Sequence, residues 1–195
     1  LFPLCKPSTE GNQDLPADGY VDGARTNYAM IKMEEAANSG KPFFLAVGYT
    51  KPHLPFVAPK KYWDLYDRNN ISIHPEQGRD SSIPSIAFHN NHELVNSYSD
   101  IPINGNITID KQKELIHGYK ACVSYVDAQV GKLLSKLDEL GLSDNTIIVL
   151  WGDHGWHLGD HGLWIKHTNF EQAVSSPMII YLSLIHISEP TRLRH

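Results

Sequence analysis

The sequence predicts an α/β fold, a mostly parallel sheet flanked by helices, and three observations carry that prediction. Short apolar runs recur at residues 43–49, 146–151 and 177–181, each with the length of a strand buried on both faces. Amphipathic helical stretches alternate with them. Residues able to do chemistry follow directly on the first two runs, where open α/β sheets bind ligands.

Taken in order, residues 1–25 are rich in Pro, Gly, Asp and Asn without periodicity and read as an irregular surface segment. Tyr28, Met30, Ile31, Met33, Ala36 and Ala37 give a helical pattern over 25–38, stopped by Ser39-Gly40. Pro42 and the first apolar run follow, completing a helix–strand unit. Residues 51–109 are loop-dominated, with prolines at 52, 55, 59, 75, 84 and 102 and one short helix expected over 59–66. Loops this long usually serve function, although 71–109 shows no residue pattern with a nameable chemistry. Asn70-Ile71-Ser72 and Asn106-Ile107-Thr108 have the form of N-glycosylation acceptors. Residues 110–140 form the clearest element. Asp110 is a fitting N-cap, Leu115, Tyr119, Cys122, Val123, Val126, Val130, Leu133, Leu134 and Leu137 form an apolar stripe, and Gly141 ends it. The second and third apolar runs complete the pattern. From Leu182 to Arg192 the sequence resembles a translated transposase sequencing adaptor, so 1–181 reads as protein domain and 182–195 as an artefactual tail.

Composition narrows the function classes. The 195 residues carry 17 Lys+Arg against 22 Asp+Glu, a net charge of −5 with no basic run, which argues against a nucleic-acid partner. No apolar stretch approaches bilayer length, so no membrane span is expected. The sequence starts at Leu1 without a charged and apolar leader, so no signal peptide is expected within it. Two cysteines are too few for a disulfide scaffold or a thiolate zinc site. Histidine stands out: four of the 11 (His154, His157, His161 and His167) fall within residues 154–167.

Gly152-Asp153-His154-Gly155 places a carboxylate and an imidazole at a strand end between permissive glycines. The pair suits either a hard cation such as calcium or magnesium, or a turn in which Asp153 caps the next segment and His154 is a core histidine. The loop Gly155-Trp156-His157-Leu158-Gly159-Asp160-His161-Gly162 then leads to Lys166, a cation able to clamp an anionic oxygen. His157 reads as a loop residue, and His161 as one that orients a neighbour rather than binding metal. His53, stiffened between Pro52 and Pro55 after the first apolar run, is either a proton donor to a leaving group or a structural histidine in a proline-rich turn.

In order, Gly48-Tyr49-Thr50-Lys51-Pro52-His53-Leu54-Pro55-Phe56 and Gly152-Asp153-His154-Gly155-Trp156-His157-Leu158-Gly159-Asp160-His161-Gly162-Leu163-Trp164-Ile165-Lys166 resemble the sulfatase family, within the alkaline phosphatase superfamily. The resemblance extends to about Tyr181. It implies sulfuric ester hydrolysis on a sulfated glycan, such as one bearing 2-O-sulfated iduronate, by a formylglycine nucleophile with one calcium ion. It further implies that Asp153 and His154 are metal ligands, that Lys166 contacts the sulfate, and that His53 donates the proton to the leaving alcohol. An extracytoplasmic location (lysosomal, secreted or periplasmic) follows from the family; the oligomeric state is not legible.

The sequence also departs from the family. Cys5-Lys6-Pro7-Ser8-Thr9 imitates the C-x-P-S-R motif that yields formylglycine, but Thr9 replaces the Arg and Cys5 lies only 44 residues before Tyr49, so Cys5 reads as a decoy. The family's early carboxylate pair has no counterpart here, and this span by itself is expected to be inactive. A phosphodiesterase or phosphonate hydrolase of the same superfamily, or a catalytically dead glycan-binding relative, are the alternative readings.

Overall fold

A computed structural model describes residues 6–11, 16–102 and 107–182. The long apolar pattern becomes the long helix. Helix α4, Ile109–Glu139, starts one residue earlier than the sequence suggests, because the Thr108 hydroxyl rather than Asp110 accepts the Lys111 N–H, and Gly141 follows its end in left-handed geometry. Helix α1, Val21–Ser39, extends the predicted helix by a turn at its N-terminus and ends at Gly40, whose φ of 63° fits a residue without a Cβ. Between them lie the short helices α2 (Lys60–Trp63) and α3 (His92–Val95).

The core gathers on the first half of α4. Leu115, Ile116, Ala121, Cys122 and Tyr125 pack against Leu54, Phe56, Tyr62 and Trp63, with Leu94 of α3 and Trp164 joining. Strand β1 (Thr9–Glu10) pairs in parallel with β2 (Phe56–Val57), Thr9 opposite Phe56. Cys5 and the suspected tail from 183 onward lie outside the described residues. Ser8 is buried: its N–H and hydroxyl donate to Asp100 at 2.7 and 2.9 Å.

The apolar runs behave less uniformly than predicted. Strand β3 (Ile148–Trp151) pairs antiparallel with β4 (Met178–Tyr181), and a short helix α5 (Glu171–Val174) precedes β4. Both strands are largely exposed, with Trp151 and Met178 each 64% accessible. Residues 43–49, read as a buried parallel strand, run without ladder partners among the described residues, and Phe44 is 92% exposed. Burial of such a strand needs neighbours on both edges and helices on both faces, and the described residues provide neither there. The α/β class holds; the sheet within this span is two separate two-stranded pieces, one parallel and one antiparallel.

Candidate active site

Two loops and one short helix meet at a point. The first loop leaves residues 43–49 and is fastened from below by Asp22 in the first turn of α1. That carboxylate, 2% exposed, accepts the Thr50 N–H on one oxygen and the Lys51 N–H on the other, each at 2.9 Å. Arg25 braces the same carboxylate at 3.0 Å and reaches the Thr50 hydroxyl at 2.5 Å. Beyond this anchor the Lys51 ammonium donates to the carbonyls of His53 and Pro55, at 3.1 and 2.6 Å, and burial lowers its pKa. A carbonyl only accepts, so the 2.7 Å contact from His53 Nδ1 to the Leu54 oxygen fixes the Nδ1–H tautomer and turns Nε2 outward.

The second loop runs from Gly155 to Thr168. A Cβ on Gly155 would meet the Gln172 carbonyl oxygen at 2.0 Å, so only glycine allows the approach to α5 that its N–H bond to Ala173 makes at 2.7 Å. His157, fully buried, is the centre of the loop. Its Nδ1–H donates to Asp160 and its Nε2 accepts from Thr168 at 2.7 Å. Burial raises the Asp160 pKa, but hydrogen bonds from His157 and from the Leu158 N–H outweigh it and hold the carboxyl below the usual range. His161, expected to orient a neighbour, stacks its ring on Phe170 with centroids 4.9 Å apart, and its backbone N–H donates to the Glu76 carbonyl at 2.9 Å. His157 rather than His161 braces the loop through its side chain.

Together these supports bring Lys166 against His53, Nζ to Nε2 at 2.8 Å, across 113 residues of chain. These two residues, singled out in the sequence 113 positions apart, are brought into contact. The sequence reading missed the third member. Glu93 on α3 lies 2.8 Å from Lys166 Nζ and 3.0 Å from His53 Nε2, inside the segment that had no nameable chemistry. Asn91, one residue before α3, ties that helix to the second loop by accepting from the Trp164 N–H at 2.9 Å and donating to the Gly162 carbonyl at 3.1 Å. An Asn and a Glu in a polar loop give no sequence signal for either role. Asp22 was missed for the same reason.

Asp153 and His154 sit beyond β3, as expected. Asp153 is 86% exposed and accepts the His154 N–H at 3.0 Å; His154 Nδ1 donates to the Gly155 carbonyl at 2.7 Å, which leaves Nε2 its lone pair, 3.7 Å from the Asp153 carboxylate. Two donors so spaced and accessible can share one cation. They fit as part of a calcium site, which takes six to eight oxygen-rich ligands. Among the described residues no group of three or more His, Cys, Asp or Glu is assembled to hold a metal. An open cleft of about 760 Å³ lies elsewhere, between α1 and α4, lined by Met30, Ile31, Gly131 and Lys132.

The arrangement can hold an oxyanion with Lys166 and, when the His53 ring is protonated at Nε2 as well as Nδ1, deliver a proton from Nε2. Comparison with known proteins gives the chain its relatives. The family model described as Sulfatase matches residues 5–186. The chain is 40% identical over 174 residues to iduronate 2-sulfatase of Homo sapiens, covering 87% of this chain and 32% of that protein. It thus spans about a third of the length of that curated relative. Among solved structures it superposes on phosphonate monoester hydrolase from Silicibacter pomeroyi with a TM-score of 0.72 at 23% identity, covering 93% of this chain and 38% of that one. A second solved structure, of BT4656 in complex with its substrate D-glucosamine-2-N,6-O-disulfate, matches with a TM-score of 0.64 at 19% identity, over 84% of this chain and 43% of that one. At those identities the two solved structures speak for the fold.

Proposed function

The chain belongs to the sulfatase family, and on that premise we propose that it carries the proton-donor half of a site that hydrolyses a sulfate ester on a sulfated glycan, 2-O-sulfated iduronate in particular. The observation that carries the proposal is the meeting of Lys166 and His53 at 2.8 Å, each on a loop with its own buried anchor. Lys166 donates to a non-bridging sulfate oxygen and offsets charge there. As the sulfur–oxygen bond to the sugar breaks, the His53 ring, protonated at Nε2 as well as Nδ1, passes its Nε2 proton to the departing oxygen. The attacking oxygen, assigned by the family to a formylglycine hydrate, belongs to no described residue. Asp153 and His154 would be part of the set holding a calcium ion, which when bound supplies positive charge to the sulfate oxygens. The identity to iduronate 2-sulfatase supports the choice of substrate. An extracytoplasmic glycoprotein fits the exposed Asn70 of the first glycosylation acceptor; no described helix is long and apolar enough to cross a membrane.

Titration of the 195-residue chain with a disaccharide bearing 2-O-sulfated iduronate, followed through the His53 ring and Trp156 indole NMR signals, tests this reading. Millimolar binding that disappears in Lys166→Ala and with the desulfated disaccharide is expected, without turnover. Equal binding of the desulfated sugar, or indifference to Lys166→Ala, would refute it. A phosphonate monoester bound in preference to the sulfated sugar would favour the phosphonate hydrolase reading instead.

A further inference from the structure

Glu93 is oddly placed for a merely structural residue. Its Oε1 touches both Lys166 and His53, while its Oε2 is buried with no hydrogen-bond partner among the described residues. A half-satisfied carboxylate is costly to keep, and a neutral side chain would pack there without that cost. α3 does not need the charge either: it is held by Leu94, 1% exposed in the core, and by Asn91 clasping the second loop.

The cluster's charge shows what Glu93 does. Lys166 contributes one positive charge and Glu93 cancels it, so these three side chains together carry zero net charge with a neutral His53 and one positive charge with a protonated one. Lys51, the other nearby cation, is engaged by the carbonyls of His53 and Pro55. The Trp156 ring, 5.3 Å from Lys166 Nζ, offers a π face that steadies the ammonium without adding formal charge. We propose that Glu93 is a positioning and specificity residue that holds Lys166 and His53 at one point and limits its charge, so that the site takes esters with one negative charge and disfavours those with two. The inference rests on Lys166 and His53 forming the anion-binding point proposed above.

Sulfate monoesters are monoanions, and phosphate monoesters are dianions above their second ionisation near pH 6. The experiment therefore compares 4-nitrophenyl sulfate with 4-nitrophenyl phosphate at pH 7.5, binding to the full 195-residue chain being read from the His53 and Trp156 signals. The unaltered chain is expected to bind the sulfate ester at least as tightly as the phosphate ester. In Glu93→Gln, which keeps size and shape, the ratio should move about tenfold toward the phosphate ester, because the ligand's second charge no longer faces a carboxylate a few ångströms away. A merely structural role would weaken both esters together and leave the ratio alone.

A ratio unchanged in Glu93→Gln overturns the inference while leaving the sulfatase reading intact. Tighter phosphate binding by the unaltered chain also overturns it, and needs no variant to fold. If neither ester perturbs His53 or Trp156, both the inference and the reading it rests on fall.

Discussion

Asp22 offers the sharpest test of how the site is built, because it touches no catalytic atom. Asp22→Ala removes the acceptor for two backbone N–H groups, Thr50 and Lys51, both bonded at 2.9 Å to a side chain that is 2% exposed. Hydrogen bonds to a charged partner each contribute about 1.5–3 kcal/mol, and donors left unpaired in a buried place do not recover that loss. The Arg25 contact adds little, since Arg25 is 46% exposed and such pairs contribute at most about 1 kcal/mol. The expected cost is about 3–5 kcal/mol, which in a chain of this size lowers Tm by roughly 10 °C. Asp22→Asn keeps one acceptor oxygen and should lose about half as much. Thermal unfolding by circular dichroism gives the stability. The site gives a second readout: with the 50–53 backbone released, the His53 and Trp156 NMR signals should shift and lose their response to sulfate esters. A fall in Tm of less than 2 °C in Asp22→Ala, with those signals unmoved, would refute the claim that this carboxylate anchors the loop.

Four further outcomes are expected. Gly155→Ala drives a Cβ to 2.0 Å from the Gln172 carbonyl and should cost at least about 2 kcal/mol, seen as a Tm lowered by about 5 °C. Gly131, in the middle of α4, has open space where a Cβ would stand, so Gly131→Ala should raise Tm by about 3 °C through helix propensity. On the alkaline side, burial pushes the Cys122 thiol and the Tyr98 and Tyr125 phenols up to about 12. The folded state holds these protons more tightly than the unfolded chain, so the stability they contribute is complete below about pH 8.5 and is lost as pH rises toward 12; urea midpoints across that range and slow iodoacetamide labelling of Cys122 at pH 8 check this. On the acid side, Asp100 and Asp160 titrate below the usual range because hydrogen bonds from Lys111 and Ser8, and from His157, outweigh burial. Their contribution is present above about pH 4 and lost as pH falls through their folded values, so the urea midpoint should drop there and drop less in Asp160→Asn.

What could be read from the sequence was local. The period of α4 was legible from its apolar spacing, yet the buried side was not fully the predicted stripe: Val123 and Leu134 are 45% and 43% exposed, while Tyr125 and Gln129 are buried. Periodicity gives a helix an apolar face; what packs on it decides which part of that face is covered. The run at 146–151 was legible as a strand and the run at 43–49 forms none, and neither was legible as exposed, because burial of a strand depends on neighbours that its own residues do not specify. At the site, His53 was singled out by the prolines that stiffen its loop and Lys166 by the glycine-punctuated loop before it, and the resemblance of both loops to the sulfatase family supplied their roles. Glu93 lies 73 residues from Lys166 and carries no such signature.

The missed residues share a physical character that explains why they were missed. Asp22 is buried and holds residues 50–51; Asp160, equally buried, holds His157; Asn91 holds 162–164; and Asp100 gathers Ser8 and Lys111. Each is a short polar side chain satisfied by backbone or side-chain donors, most of them distant in sequence, and a side chain of that size is compatible with any surface loop. His53, by contrast with Asp22 and Asp160, keeps its side chain 41% exposed. A reacting group must reach a ligand, so its place has to be fixed by something other than its own burial. Burying the anchor and leaving the reactive atom accessible separates the two demands between residues. That division makes the chemistry readable from local motifs and leaves its supports to be found only in the folded chain.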